Sequence, residues 1–406
     1  MVRICVIGGG SAGEEAAFEA DLRGADVTIV ERRPDQDLPW RSWPELISQP
    51  PAKGRLFNGQ RKSSKNVLTA EAKSAGPSFV ALSNGDRLRF DSIIVATGSR
   101  FKPVSLLGAR KPGVYVLDGA EKYEELGRAC PSIDEAVVVG EGYRGLEVAD
   151  RLSSNGAKIL LVISCWQYEA PAPLVVDVIE DAAQERGIEI QRGVVSRVVG
   201  NGRVEAVVAC GSVTPCDTVV VAPLRMPNPV NSPLRLGQMG AFEVAGTMRT
   251  SEPSTFAAGG CAELKGGILG SGTLTAEPSL SGRIAGSTSA GSIHSIGGAR
   301  IDELRVFGLG WSRIGKRGGA PVAFGNRADT VSRRWGPASA CVITHERFSE
   351  RVVAVESIQP SAASPAGLPP LEAGVSLEAL AYGLGLSDIS LISETARLGL
   401  REWRKS

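Results

Sequence analysis

The sequence predicts an α/β fold in which a parallel β-α-β unit occurs twice and an α+β region closes the chain. Three observations carry this. The apolar run VRICVI feeds into GGGSAG and then into an alanine-rich segment. The same order of strand, spaced glycines and helix returns at EAVVVGEGYRGLEVAD. Late in the chain SACVITHERFSERVVAVESIQ alternates as paired strands do, and SLEALAYGLGLSDISLISETARLGLREWRKS is helical at both ends. The proline- and glycine-rich PSAASPAGLPPLEAG between them reads as a loop.

In the first unit a strand over Val2 to Ile7 runs into Gly8, Gly10 and Gly13. A helix begins over Ser11 to Glu15, and a second strand over Asp26 to Val30 ends at Glu31. One glycine allows the tight turn, one lets a pyrophosphate approach bare backbone, and one lets helix and strand pack closely. The phosphates then meet the positive end of the helix dipole. Glu31 stands where a carboxylate accepts hydrogen bonds from ribose hydroxyls. Ser11, Ala12 and Arg32 complete this first set of candidate contacts.

The second unit places Gly140, Gly142 and Gly145 between strands at Ala136 to Val139 and Lys158 to Ile163. Tyr143 and Arg144 occupy its tip. Its second strand ends at Ser164 instead of an acid, and no arginine follows closely to meet a 2′-phosphate, which leaves NAD and NADP both open. An internal repeat of this unit implies two dinucleotides, or one and a relic. The fold class is therefore α/β, with two Rossmann-like nucleotide-binding domains and a C-terminal α+β domain.

Composition narrows the remaining classes. At 406 residues the chain has room for two to three domains. Lys plus Arg (45) nearly cancels Asp plus Glu (44), so no field favours nucleic acid or an anionic membrane. No apolar stretch reaches the roughly 18 residues of a membrane span, and the start reads as a strand, not a secretory signal. Seven scattered cysteines (Cys5, Cys130, Cys165, Cys210, Cys216, Cys261, Cys341) form no C-x-x-C pair, which points to a reducing cytoplasm and buried thiols. The two histidines, His294 and His345, make no metal or triad constellation, so no metal is expected.

Six stretches together resemble the FAD-dependent pyridine nucleotide-disulfide oxidoreductase superfamily, in its NADH oxidase and coenzyme A-disulfide reductase branch. They are VIGGGSAGEEAA, FDSIIVATGSR, VVVGEGYRGLEVAD, CDTVVVAPLRMPNP, GAFEVAGTMRTSEPSTFAAGGCAE and SGRIAG, in the order that family shows. The resemblance implies FAD and NAD or NADP as cofactors. It also implies an FAD domain in two pieces (residues 1–112 and 247–298), a nicotinamide domain between them (113–246), and a C-terminal domain (299–406) that pairs subunits into a homodimer. Ala96, Thr97 and Gly98 of the ATG stretch, with Gly259, Gly260 and Cys261, join the cofactor set by the same resemblance. Tyr143 matches the aromatic that covers the flavin and moves aside for nicotinamide. Glu147 matches a carboxylate that often pairs with a lysine. LPWRSWPELISQPPAKGRL offers Lys53 for that pairing on the N5 side of the flavin.

Several positions depart from the family pattern. Where disulfide reductases carry a reactive cysteine, this chain has Gln36 and Asp37, and an amide or carboxylate forms no mixed disulfide or sulfenic acid. Gly260 replaces the aspartate of A-x-G-D, and Glu263 is the nearby acid available to substitute in part. The expected function is hydride transfer from NAD(P)H through FAD to a non-disulfide acceptor, either a small molecule or a small redox protein. The alternative is a descendant of the same fold that has lost tight FAD binding and serves as a nucleotide-binding or assembly module.

Overall fold

A computed structural model describes residues 1–32, 47, 66–140, 142–164, 171–265, 273–274, 278–295, 301–315, 328–346, 352–360 and 390–403. The chain divides into two compact units, one of Met1–Pro39, Arg55–Arg100 and Arg225–Ile301, the other of Trp40–Gly54, Phe101–Leu224 and Asp302–Ser406. The chain passes between the two units after Arg100 and after Leu224.

The first unit is built on a five-stranded sheet ordered Thr255–Ala257, Ser92–Val95, Arg3–Ile7, Asp26–Glu31, Val67–Thr69. Every pairing in it is parallel. Its central strands are continuous apolar runs because both faces are covered, and Ile4, Cys5, Val6, Ile93, Ile94 and Val95 are fully buried. The helix Ser11–Asp21 packs against Pro278–Ser289 along small residues. A Cβ on Gly282 would collide with the Ala12 carbonyl, and one on Gly286 with that of Ala16. Two glycines four apart thus face two alanines four apart, and the backbones approach as larger side chains would forbid.

Among the described residues the second unit contains three sheets: a small antiparallel one over Val195–Val199, Ala206–Ala209 and Ser212–Pro215, and two of five strands each. A parallel sheet runs Ile188–Arg192, Lys158–Ile163, Glu135–Gly140, Thr218–Ala222, Val114–Val116. The Tyr143–Ser153 helix is amphipathic and buries Leu146, Val148, Ala149 and Leu152. The other five-stranded sheet is ordered Ile301–Val306, Leu309–Gly315, Val352–Pro360, Ala340–Glu346, Ala328–Arg334, and its last four strands pair antiparallel. The paired-strand reading of the tail therefore holds, but the alternation does not carry over into burial. Val352 through Ile358 are all buried, including Glu356 and Ser357. Two helices account for this: Ser390–Trp403 packs on the strands at 328–334 and 340–346, and Pro173–Gln184 on those at 340–346 and 352–360. The C-terminal helix confirms the second helical end, while the proline-rich loop lies outside the described residues.

Candidate functional site

In the first unit, three loops leave the same carboxyl edge of the parallel sheet. The Gly8 N–H donates to the Val30 carbonyl (2.9 Å), the Ala96 N–H to that of Ile7 (2.8 Å), and the Ala258 N–H to that of Val95 (2.9 Å). These bonds align the 8–13, 96–98 and 258–261 segments beside the central strand, where the chain departs in opposite directions to its neighbours. That is the crevice in which open α/β sheets bind ligands.

The glycines have distinct tasks there. Gly8 has φ +106°, and a Cβ on it would run into the Ala96 carbonyl. A Cβ on Gly13 would collide with the Gly8 carbonyl, so this residue is the close-packing glycine. Gly10 and Gly98, by contrast, face open space: a Cβ on either meets nothing within 4 Å. Gly10 also caps the Ser11–Asp21 helix without a side-chain acceptor, so the first-turn amides of Ser11, Ala12 and Gly13 are presented to a ligand. Glu31 reaches back across the loop, and its Oε2 accepts the Gly9 N–H at 2.7 Å. Arg32 lies on the surface, 3.9 Å from Glu71. Open backbone, unsatisfied helix amides and a carboxylate at the next strand end together fit an adenosine diphosphate moiety.

The 259–261 segment forms a short 3-10 turn after Thr255–Ala257, and a Cβ on Gly259 would come 2.9 Å from the Ala12 Cβ. At Gly260 a Cβ would make ordinary contacts of 3.4 Å with Gly98 and Ser99, so the backbone leaves space for a Cβ where this sequence carries none. Glu263 does not substitute for it. Its carboxylate is buried and accepts the N–H groups of Gln238 (2.9 Å) and Met239 (2.8 Å), which fixes it to a turn and corrects the expectation from the sequence. Burial raises the Cys261 thiol, whose Sγ lies 3.3 Å from the Val95 carbonyl, so it is no nucleophile. Thr97 and Gly98 are braced by Asn228: the Thr97 Oγ1 donates to the Asn228 carbonyl (2.6 Å), and the Asn228 N–H donates to that of Gly98 (3.0 Å). Arg225 grips the next residue, with Nε 2.8 Å from Ser99 Oγ and Nη2 3.1 Å from the Ser99 carbonyl. These brace residues escaped the sequence reading as contacts, although the APLRMPNP stretch was the signal that contained them.

In the second unit Gly142 (φ +70°) caps the Tyr143–Ser153 helix, again with no side-chain acceptor. Gly140 and Gly145 approach so closely that a Cβ on Gly145 would lie 2.8 Å from the Gly140 Cα. Ser164 is exposed at the end of its strand. Glu147 forms an ion pair with Arg144 (3.0 Å), one helical turn away. Tyr143 is half-buried and stacks on Trp311, ring centroids 5.1 Å apart. Lys53, Gln36, Asp37 and Cys165 lie outside the described residues.

Among the described cysteines, Cys5, Cys130, Cys210, Cys216, Cys261 and Cys341 are free. Cys210 is exposed at a tight turn and corrects the expectation that the thiols are all buried. His345 is buried and His294 exposed, and no cluster able to hold a metal occurs among the described residues. No described helix is long and apolar enough to cross a membrane.

Two glycine loops on parallel sheets, each ending in an uncapped helix N-terminus, define an α/β protein with two dinucleotide-binding folds. The chain belongs to the pyridine nucleotide-disulphide oxidoreductase family, whose family model matches residues 2–280, and its cofactors are FAD and NAD or NADP. It is 28% identical over 275 residues to a probable ferredoxin reductase of Castellaniella defragrans, covering 63% of this chain and 67% of that one. It is 25% identical over 389 residues to an NADH oxidase of Methanocaldococcus jannaschii, covering 86% and 85% of the two chains. A NAD-dependent persulfide reductase from A. fulgidus shares the fold, with a TM-score of 0.81 at 21% identity over 99% of this chain and 84% of that one.

Proposed function

We propose that this chain passes electrons from NADH or NADPH, by way of FAD, to an acceptor that is not a disulfide. When bound, FAD supplies a two-electron acceptor for hydride and a donor to the final substrate. The chain's own part is to hold and orient. The Gly8–Gly13 loop, the helix amides of Ser11 to Gly13, and Glu31 hold the adenosine diphosphate. Ala96 to Gly98 and Gly259 to Cys261 face it along the same sheet edge, while Gly140, Gly142, Arg144 and Gly145 receive the nicotinamide nucleotide, with Tyr143 at its tip and Ser164 at its ribose end. Lys53 and Glu147 belong to the catalytic set in this reading.

The observation that carries the proposal is the open space at Gly10 and Gly98, with the helix after Gly10 uncapped and Glu31 on the Gly9 N–H, in a chain with no thiol at Gln36 or Asp37. Two further relatives, a rhodocoxin reductase and a rubredoxin-NAD(+) reductase, support a small redox protein as acceptor. Reoxidation assays test this. After anaerobic reduction with NADH or NADPH, oxygen, a quinone or a rubredoxin is expected to restore the flavin spectrum, and coenzyme A disulfide is not. Rapid reoxidation by the disulfide alone would overturn the reading. The four-domain parsing, pairing of subunits through residues 299–406 and a cytoplasmic site of action belong to the same proposal. A second reading, a module that has lost tight FAD binding, is favoured by Gly260 and by the commitment of Glu263 elsewhere.

A further inference from the structure

Tyr143 is the first residue of its helix and directly follows Gly142, so a dinucleotide laid on that N-terminus meets its ring. Within the same compact unit, that ring lies against the indole of Trp311, tilted 39°. Trp311 belongs to the Leu309–Gly315 strand of the C-terminal sheet and is 2% exposed. Three contacts hold it. Its Nε1–H donates to Glu356 Oε2 at 3.3 Å, the Arg313 guanidinium lies 5.3 Å from its ring centroid, and Tyr143 covers one face. Glu356, itself fully buried, uses the same Oε2 to accept the Ala172 N–H at 2.9 Å, at the cap of the Pro173–Gln184 helix. One buried carboxylate therefore ties the C-terminal sheet to the nicotinamide-type domain and fixes the indole in between. The indole is buried on this side of the contact, and the tyrosine at the loop tip is half-buried.

We propose that Trp311 is a positioning residue of the nicotinamide site, setting the orientation of Tyr143 and so making the C-terminal sheet part of dinucleotide binding. This deepens the function proposed above and rests on the 140–145 loop binding NAD(P). Aromatic pairs of this geometry contribute a several-fold factor to an equilibrium constant, which an isolated structural role would not transmit to ligand affinity.

The test is calorimetric titration of the purified holoenzyme with NAD+ and with NADP+, using Trp311→Leu, Trp311→Phe, Tyr143→Leu and the double variant Tyr143→Leu/Trp311→Leu. Trp311→Leu is expected to weaken the tighter nucleotide about threefold to tenfold. Trp311→Phe, which keeps an aromatic face, should restore affinity to within about twofold, with FAD absorbance per chain unchanged. In the Tyr143→Leu background the Trp311→Leu change should add less than about twofold. Wild-type affinity in Trp311→Leu, or an equal loss in the Tyr143→Leu background, would overturn the inference while leaving the proposed function standing. If wild-type protein bound neither nucleotide, the function itself would fail.

A measurement without a change at residue 311 covers the case in which Trp311→Leu does not fold. In protein labelled with 5-fluorotryptophan, the fluorine resonance displaced by Tyr143→Leu marks Trp311. That resonance is expected to shift when wild-type protein is saturated with the tighter nucleotide. A resonance that stays in place would overturn the inference.

Discussion

In the first glycine loop, the strand after the helix ends in Glu31, whose carboxylate reaches back 2.7 Å to the Gly9 N–H. In the second, the corresponding strand ends in the exposed Ser164, and the charged pair at the loop is Arg144 with Glu147 on the helix itself. The backbone of the two units is otherwise alike: parallel strands, an uncapped helix N-terminus and glycines packed against one another. The comparison teaches that backbone shape, set by glycines, and the side chain at the strand end are separable. Both loops keep the shape, and only the first has a carboxylate at its strand end.

The largest expected effect comes from the backbone. Gly13→Ala forces a Cβ into the Gly8 carbonyl and is expected to weaken FAD binding by about a hundredfold or more, giving protein that purifies colourless. Gly145→Ala should instead leave FAD in place and weaken the nicotinamide nucleotide, measured as KM for NADH and NADPH. If both variants lost only FAD, the assignment of separate loops would be broken.

Next in size is the carboxylate. Removing the charge in Glu31→Gln eliminates charge-assisted hydrogen bonding of about 1.5–3 kcal/mol, roughly tenfold to a hundredfold in the FAD dissociation constant followed by flavin fluorescence. The mirror experiment, Ser164→Glu, supplies an acceptor for the ribose diol and should raise the NADH-to-NADPH ratio of kcat/KM by about tenfold. An unchanged ratio would show that Ser164 does not face the ribose.

A smaller gain is expected from Gly260→Asp. The added Cβ fits at 3.4 Å from Gly98 and Ser99, and the carboxylate should tighten FAD by up to about tenfold, seen as slower loss of flavin on dilution. Weaker binding would mean that the segment does not line the cofactor.

The effect that is smallest at neutral pH is on stability. Burial pushes the Cys5 and Cys341 thiols up to about 12 and, with help from Asp217 and Glu135, Cys216 up to about 11. An unfolded chain ionises these groups near 9.0 and the native chain does not, so above that pH the native state binds more protons and stability falls. Denaturant midpoints should be level from pH 7 to 8.5 with respect to these thiols and decline between 9 and 12. Rapid alkylation of Cys5 or Cys341 in native protein at pH 8 would contradict their burial.

Much of this was legible in the sequence where the signal was local. The Lys158–Ile163 strand and the Ser11 start of the first helix fall where the apolar runs and glycines put them. The first helix shows almost no apolar stripe, because its alanines and glycine face both the sheet and Pro278–Ser289, so a periodicity test alone would have missed its burial. Side-chain partners were another matter. Glu263 looked available for a cofactor, yet the fold spends it on the Gln238 and Met239 amides. Trp311 carries no local signature that it meets Tyr143, since only the tertiary fold brings the C-terminal sheet to that helix. Spacing encodes which backbone turns form, and the pairing of distant side chains is settled by packing.

The central claim is that the bare amides and carboxylate of the first loop retain FAD despite Gly260. An absorbance spectrum of freshly purified protein, recorded before and after anaerobic addition of NADH or NADPH, tests it most directly. The account predicts yellow protein with about one flavin per chain, whose visible band bleaches with at least one of the two nucleotides. Colourless protein that does not take up added FAD would contradict it and leave only the nucleotide-binding scaffold.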